Sequence, residues 1–254
     1  MNIKDQDEKI GNWLFKRRSY FPVIFVIIGI LWYVKELHFY HLYSDQNPIH
    51  RWWVDFLIMC IGFLGLGIRI FTVGFTPKGT SGRNTQAGQI AEQLNTKGIY
   101  SIVRHPLYVG NFFMWLAPAI LITASNVGFT LCFCLIYWQY YQRITFAEEQ
   151  FLQRKFGQEY TDWANKTRAF IPKFSQFIKS DLPFSIKNVL KREYNSFFSL
   201  VFTMTVIRLT GFLVTEKRIF LDKPWMIIIS IAFTIFISLK IMKKYTKILD
   251  VKGR

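Results

Sequence analysis

Acidic residues and cysteines are both scarce in this sequence. Its 254 residues include 16 Asp and Glu against 32 Lys and Arg, which gives a formal net charge of +16, and only three cysteines. Cys132 and Cys134 are two positions apart in a predicted helix, so their side chains project about 200° apart and suit neither a zinc pair nor a disulfide. Together with Cys60, they are interpreted as ordinary small apolar side chains.

Apolar residues, by contrast, are abundant and clustered. Hydrophobic residues make up 51% of the chain and aromatic residues 18%. They gather into six blocks near the length of about 20 residues that a bilayer requires, at residues 20–43, 52–75, 107–125, 127–141, 196–214 and 225–242. This clustering excludes a basic nucleic-acid-binding protein, which the positive charge alone would have allowed. The sequence therefore predicts an all-α, polytopic membrane protein with about six transmembrane helices.

The positive charges are unevenly divided between the two sides that six helices would define. The side that bears both termini carries 24 Lys and Arg residues, and the other side carries five. Cytoplasmic loops of membrane proteins carry an excess of these residues, so both termini and the loop before residue 107 are predicted to be cytoplasmic. No small-residue cleavage site follows the first block, which is interpreted as a retained helix rather than a signal peptide.

An ordered set of polar and aromatic residues surrounds the third and fourth blocks. Residues 98–110 read GIYSIVRHPLYVG, the doublet Glu148 and Glu149 follows the predicted helix hairpin, and FGQEY and Pro172 come after it. Taken alone, RHP is a basic flank beside a helix-starting proline, and the doublet is a solvated helix end. No metal site is predicted, and no glycine-rich dinucleotide loop follows a strand.

Taken together, the set resembles the isoprenylcysteine carboxyl methyltransferase and phospholipid methyltransferase family of integral-membrane enzymes. The resemblance covers residues 96–174. It leaves N-terminal transmembrane helices and a polar loop in residues 1–95, and a C-terminal transmembrane helix pair in residues 175–254. The resemblance implies a helical S-adenosylmethionine (SAM) site at the cytosolic membrane face, formed by Tyr100, His105, Pro106, Tyr108, Gly110, Glu148, Glu149 and Tyr160.

The charges of SAM suggest how these residues would divide the work. Glu149, together with Glu148, is expected to bind the ammonium group through charge-assisted hydrogen bonds. The three tyrosines are expected to contact the adenine or the sulfonium. Arg104 or Arg168 is expected to act in catalysis by orienting an anionic methyl acceptor.

The acceptor is expected to be a membrane lipid. The loop at residues 76–97 is rich in Gly, Ser, Thr and Asn and carries Lys78, Arg83 and Lys97, a composition that suits a phosphate group. The loop also resembles a bacterial branch of the family that methylates lipid A 1-phosphate, which favours O-methylation of a lipid phosphate in a bacterial inner membrane. Carboxyl methylation of a prenylated or otherwise lipidated acid is the alternative. An NADPH-dependent enzyme like the sterol reductases and a non-catalytic membrane protein also stay open, although the glutamate doublet would repel the phosphates of NADPH.

Overall fold

The protein is all-helical in the part of the chain that its computed structural model describes, which is residues 2–43, 52–77, 79, 89–123 and 127–254. The eight α-helices found there are α1 (Ile3–Arg17), α2 (Tyr20–Tyr43), α3 (Trp52–Phe75), α4 (Pro106–Ile122), α5 (Gly128–Phe156), α6 (Gln158–Lys166), α7 (Ile186–Glu216) and α8 (Lys223–Tyr245). The predicted all-α fold of a polytopic membrane protein is confirmed.

Four of the helices, α2, α3, α7 and α8, are long and apolar enough to cross a membrane. The other two apolar blocks form helices of a different kind. Residues 107–122 lie in α4, which has only 17 residues, and the fourth block forms the first half of α5, whose second half is polar and charged. The six apolar blocks of the sequence therefore correspond to four helices that are long and apolar enough to cross a membrane, and to two others. Of these two, α4 is shorter and α5 is charged in its second half.

The N-terminal segment forms a helix, although its mixed charge gave no indication of one. Helix α1 begins with Asn2, whose side chain accepts a hydrogen bond from the Asp5 amide, and it packs along the polar half of α5. Asp7 pairs with Arg143 at 2.6 Å, and Glu8 pairs with Arg154 across the same contact. Helix α1 thereby covers one side of α5 between Arg143 and Arg154, alongside the glutamate doublet.

The close packing of α3 against α4 depends on glycine. A Cβ atom added to Gly110 would lie 2.6 Å from Cγ of Arg69 and 2.8 Å from the carbonyl oxygen of Gly65, which is too close for any other residue. The two helices can therefore approach with their backbones nearly in contact. This brings Arg69 of α3 beside the start of α4.

The C-terminal helix pair packs directly on the rest of the bundle, because α7 contacts α2, α3 and α4. A buried charge cluster joins these helices at one end. The Arg208 guanidinium lies 3.2 Å from the Asp55 carboxylate and 3.5 Å from Asp222, and the Trp225 indole donates a hydrogen bond to Asp55. Asp55 and Arg69 share a face of α3 but do not pair, as their spacing of fourteen residues predicts.

We expect Arg208→Ala to destabilise the fold strongly. The change leaves the buried Asp55 carboxylate with no cationic partner, and removing one member of a buried ion pair typically costs about 3–5 kcal/mol. The melting temperature of the purified protein in detergent should fall well below that of Arg218→Ala, which removes an exposed pair worth at most about 1 kcal/mol. The double variant Asp55→Ala, Arg208→Ala should recover part of the loss, and strictly additive losses would contradict the pairing.

Candidate active site

The segment before α4 is held in place by backbone hydrogen bonds to the segment after α6. The amides of Arg104 and His105 donate to the carbonyl oxygens of Arg168 and Ala169 at 2.8 and 3.1 Å, and the Gly98 amide donates to Ile178 at 2.8 Å. Gly98 has φ of +63°, in the left-handed region that glycine adopts most readily. Residues 98–105 are thus fixed at both ends before α4 begins.

Arg104, His105 and Glu149 form one hydrogen-bonded cluster. Nε of Arg104 donates to Oε1 of Glu149 at 3.0 Å, and Nε2 of His105 lies 2.8 Å from the same oxygen. Nη1 of Arg104 donates to the carbonyl oxygens of Ala164 and Thr167, at 2.7 and 2.9 Å. This cluster fastens the RHP segment to the end of α5 and to the end of α6.

The neighbouring carboxylate, Glu148, faces a different environment. Adjacent residues of an α-helix project about 100° apart, so the two glutamates of the doublet cannot share one neighbour equally. The Tyr108 hydroxyl donates to Oε2 of Glu148 at 3.0 Å, and Nδ1 of His105 lies 3.9 Å from that oxygen. Glu148 lines a cavity, and Glu149 is not among the residues that line it.

This cavity has a volume of about 330 Å³, within the range of about 300–1,000 Å³ that is usual for small-molecule sites. It is enclosed by the end of α1, by residues 89–95, by the segment from Tyr100 to Asn111, and by parts of α3, α5, α6 and α7. Its wall carries both signs of charge, with Glu148 as well as Arg18, Arg69 and Arg192 among the lining residues. The cavity can therefore accommodate a ligand that has both cationic and anionic groups.

Aromatic side chains complete the wall. Tyr100, Tyr108, Tyr160 and Trp163 all line the cavity, and the Trp163 indole donates to the Tyr100 carbonyl oxygen at 2.9 Å. Burial and the negative charge of Glu148 raise the pKa of Tyr100, and burial and Glu149 raise the pKa of Tyr160. Both phenols are consequently neutral at physiological pH, and they offer ring faces together with hydroxyl groups.

The pKa of Glu149 reflects its two cationic neighbours. Burial by itself raises the pKa of this carboxyl group, but the hydrogen bond from His105 and the positive charges of His105 and Arg104 outweigh it. The pKa of Glu149 therefore lies below its ordinary value of 4.5. A carboxylate that stays ionised in this way suits a positioning role.

Most, but not all, of the residues expected to form the site line the cavity. The structure brings Tyr100, Arg104, His105, Pro106, Tyr108, Glu148 and Tyr160 to the cavity wall. Gly110 instead provides the close contact between α3 and α4, and Glu149 pairs with Arg104 and His105. The expectation that Glu149, together with Glu148, binds the ammonium group stays a prediction, and of the two only Glu148 lines the cavity.

Two described residues that were expected to meet the acceptor, Arg168 and Lys97, do not line this cavity, whereas Arg104 does. The Arg168 side chain is exposed and lies outside the cavity wall, and only its backbone carbonyl supports the site, through Arg104. The Lys97 ammonium is exposed and pairs with Asp181 at 2.8 Å. Lys78 and Arg83 lie outside the described residues.

Three polar residues that the motif did not identify also meet at the cavity. The Arg69 guanidinium donates to both carboxylate oxygens of Glu193, at 2.8 and 3.0 Å, and to Oδ1 of Asn111 at 2.6 Å. A charged residue in an apolar helix is itself a signal of function, so Arg69 could have been identified from the sequence. Glu193 could not, because nothing in the sequence of the first turns of α7 indicates that this residue reaches α3.

The matches to known proteins fall on the elements that build this cavity. Residues 57–159 match the family model described as phospholipid methyltransferase. A protein-S-isoprenylcysteine O-methyltransferase of Schizosaccharomyces pombe is 36% identical over 115 residues, which cover 44% of this chain and 48% of that protein. Residues 57–159 therefore belong to the isoprenylcysteine carboxyl methyltransferase and phospholipid methyltransferase family.

Two further proteins are similar to other parts or larger shares of the chain. A probable protein-S-isoprenylcysteine O-methyltransferase of Oryza sativa subsp. indica is 31% identical over 48% of this chain and 62% of its own length. A nickel-cobalt-cadmium resistance protein, NccN, of Alcaligenes xylosoxydans xylosoxydans is 30% identical over 59% of this chain and 66% of its own length. The chain thus spans about half to two thirds of these relatives, and no solved structure matches it.

We expect Glu149→Gln to make the stability of the fold less sensitive to a fall in pH. Because the folded-state pKa of Glu149 is depressed, its ionisation stabilises the protein above the unfolded pKa, and this contribution is lost as the pH falls through the lower folded pKa. The difference in melting temperature between wild type and Glu149→Gln should be largest near neutral pH and should shrink below about pH 4.5. Glu159→Gln, on the exposed side of α6, is the control. A difference that does not change with pH would contradict the assignment.

Proposed function

We propose that this protein is a SAM-dependent methyltransferase that methylates an oxygen atom of a membrane-borne acid, most readily a carboxylate on a prenylated or otherwise lipidated substrate. The observation that carries the proposal is the cavity beside α4, α5 and α6, whose wall combines the carboxyl groups of Glu148 and Glu193 with four arginines and with the rings of three tyrosines and Trp163. The family matches and the printed names of the relatives from Schizosaccharomyces pombe and Oryza sativa support the same chemistry.

The residues of the cavity fit the chemical groups of SAM. Glu148 would hold the ammonium group, since a carboxylate can accept about four hydrogen bonds and its described partner is the Tyr108 hydroxyl. Arg18 or Arg192 would meet the carboxylate of the methionine moiety. Tyr100, Tyr160 and Trp163 offer ring faces to the adenine and to the sulfonium charge.

SAM, when bound, supplies a methyl group activated by a sulfonium: the acceptor oxygen forms the new carbon–oxygen bond as the carbon–sulfur bond breaks, and that electron pair stays on sulfur. The protein then has two tasks. Its residues must hold the acceptor oxygen in line with the methyl group, and they must exclude water from the site. No proton has to move, because a carboxylate or phosphate is already ionised at neutral pH.

A carboxylate is a better candidate for the acceptor group than a lipid phosphate, which the composition of the loop at residues 76–97 indicated. Lys97, one of the three cations of that loop, pairs with Asp181 and does not line the cavity. The relatives from Schizosaccharomyces pombe and Oryza sativa are named for methylation of isoprenylcysteine. A lipid phosphate, including that of lipid A, thus becomes the second acceptor to be tested, in place of the first.

We expect Glu148→Gln to weaken SAM binding by about 10- to 100-fold, since a hydrogen bond to a charged group contributes about 1.5–3 kcal/mol. Isothermal titration of the purified protein in detergent measures this directly. Glu159→Gln, an exposed carboxyl on α6 away from the cavity, should bind SAM as the wild type does. Wild-type protein that binds NADPH and does not bind SAM would instead support the reductase.

We expect purified protein in vesicles to transfer tritium-labelled methyl from SAM to N-acetyl-S-farnesylcysteine in preference to phosphatidic acid. Mild base releases volatile methanol from a carboxyl methyl ester and leaves a phosphate methyl ester largely intact, so the two products can be separated chemically. A Glu148→Gln sample serves as the background. Label found only in base-stable phospholipid would reverse the preference, and label in neither acceptor would remove both substrates from the proposal.

A further inference from the structure

A second cavity, of about 230 Å³, lies between α4 and α7 and meets the first one at Arg69 and Asn111, which line both. On the α4 side its wall is formed by Met114, Trp115 and Pro118. Pro118 has no N–H group, so the Met114 carbonyl loses its usual helical partner. The α4 side of the wall is therefore mainly apolar, and the hydrogen-bond pattern of the helix is interrupted there at Pro118.

The α7 side of the second cavity is polar. Asn195, Ser199 and Thr203 are spaced four residues apart, so they lie along one face of the helix, and all three line the cavity. Asn195 and Ser199 are exposed, which places the mouth of the cavity on the outer surface of the bundle. Helix α7 is one of the four helices that can cross a membrane, and Asn195 lies about 14 Å along it from Ile186.

Polar residues facing outward from a membrane helix are costly unless they have a polar partner. A polar cavity that opens on the side of a membrane helix can receive the headgroup of an amphiphile. The hydrocarbon chain of the amphiphile can then stay in the lipid. A water-soluble acceptor would have no reason to approach from this side. The position of the opening thus selects a membrane-borne ligand.

Arg69 supplies the charge that such a headgroup would meet. Its side chain is 17% exposed, and three of the five N–H groups of its guanidinium donate to Glu193 and Asn111. The other two N–H groups make no hydrogen bond with a described residue. Because Glu193 and Asn111 fix the plane of the guanidinium, these two groups have a defined direction where the two cavities meet.

We propose that the cavity between α4 and α7 binds the polar headgroup of the methyl acceptor, and that Arg69 orients the anionic oxygen of this headgroup toward the first cavity. The inference rests on the proposed function for the identity of the ligand as an acceptor. It adds a route of entry and a positioning residue, and it gives the C-terminal helix pair a role in substrate selection. Residues 195–203 lie outside the segment that matches the family model.

Photocrosslinking tests the site without requiring turnover. The probe is N-acyl-S-farnesylcysteine with a diazirine on the acyl group, presented to the full chain in lipid nanodiscs, and a phosphatidic acid with a headgroup diazirine forms the second arm. We expect adducts on Trp115 or on residues 195–203, located by peptide mass spectrometry. Adducts confined to other helices, or no adduct with either probe, would overturn the proposal.

A cavity-filling variant supplies the matched control. Ser199→Leu should lower the adduct yield at least about fivefold and raise the acceptor KM, with the Kd for SAM unchanged, because its side chain occupies the mouth. Ser230→Leu makes the same change at an exposed position of α8 that lines neither cavity, and it should behave as the wild type. Equal behaviour of the two variants would contradict the site.

Arg69 is tested as a positioning residue by Arg69→Gln and Arg69→Lys. We expect Arg69→Gln to raise the acceptor KM by about 10-fold or more, the loss of one charge-assisted contact, and Arg69→Lys to restore part of it. Unchanged acceptor KM in Arg69→Gln would remove Arg69 from the proposal. Adducts on α4 and α7 without any methyl transfer would keep the binding site and reject the proposed function.

Discussion

The shared carboxylate oxygen of Glu149 holds the site together. It accepts hydrogen bonds from Arg104 and His105, which come from the segment before α4, while Glu149 itself lies near the end of α5. Arg104 also reaches the backbone at the end of α6. One anion thus joins the segment before α4 to α5 and, through Arg104, to the end of α6, and the cavity forms beside them. Its low pKa keeps the link charged throughout the physiological range.

Much of the fold and part of the site could be predicted from the sequence, because both depend on local patterns. Apolar blocks predict helices, a proline after His105 predicts the start of α4, and the ordered motif predicts which segments converge. Which glutamate of the doublet lines the cavity could not be predicted, since this depends on how α5 is rotated against its neighbours. The same is true of the Arg69–Glu193 pair, because its partners are 124 residues apart and only the packing of α7 on α3 brings them together.

The C-terminal helix pair carries no recognisable motif, but its first helix, α7, makes two ion pairs with α3. Helix α7 pairs with α3 near both of its ends, through Glu193 with Arg69 at the cavity and through Arg208 with Asp55 in the buried charge cluster. These two ion pairs hold α7 in a fixed register against α3. The positions of the α7 residues at the cavity therefore also depend on the pair of Arg208 with Asp55, which lies farther along the same helix.

The rotation of Glu148 relative to Glu149 restricts how this region can change in evolution. A single residue inserted into or deleted from α5 between Tyr141 and the doublet would turn both carboxylates by about 100° about the helix axis. Glu149 would then lose Arg104 and His105, while the cavity wall would receive a different side chain in place of Glu148. The number of residues in this part of α5 is for that reason as constrained as their identity. Loops elsewhere in the chain can change length without such a consequence.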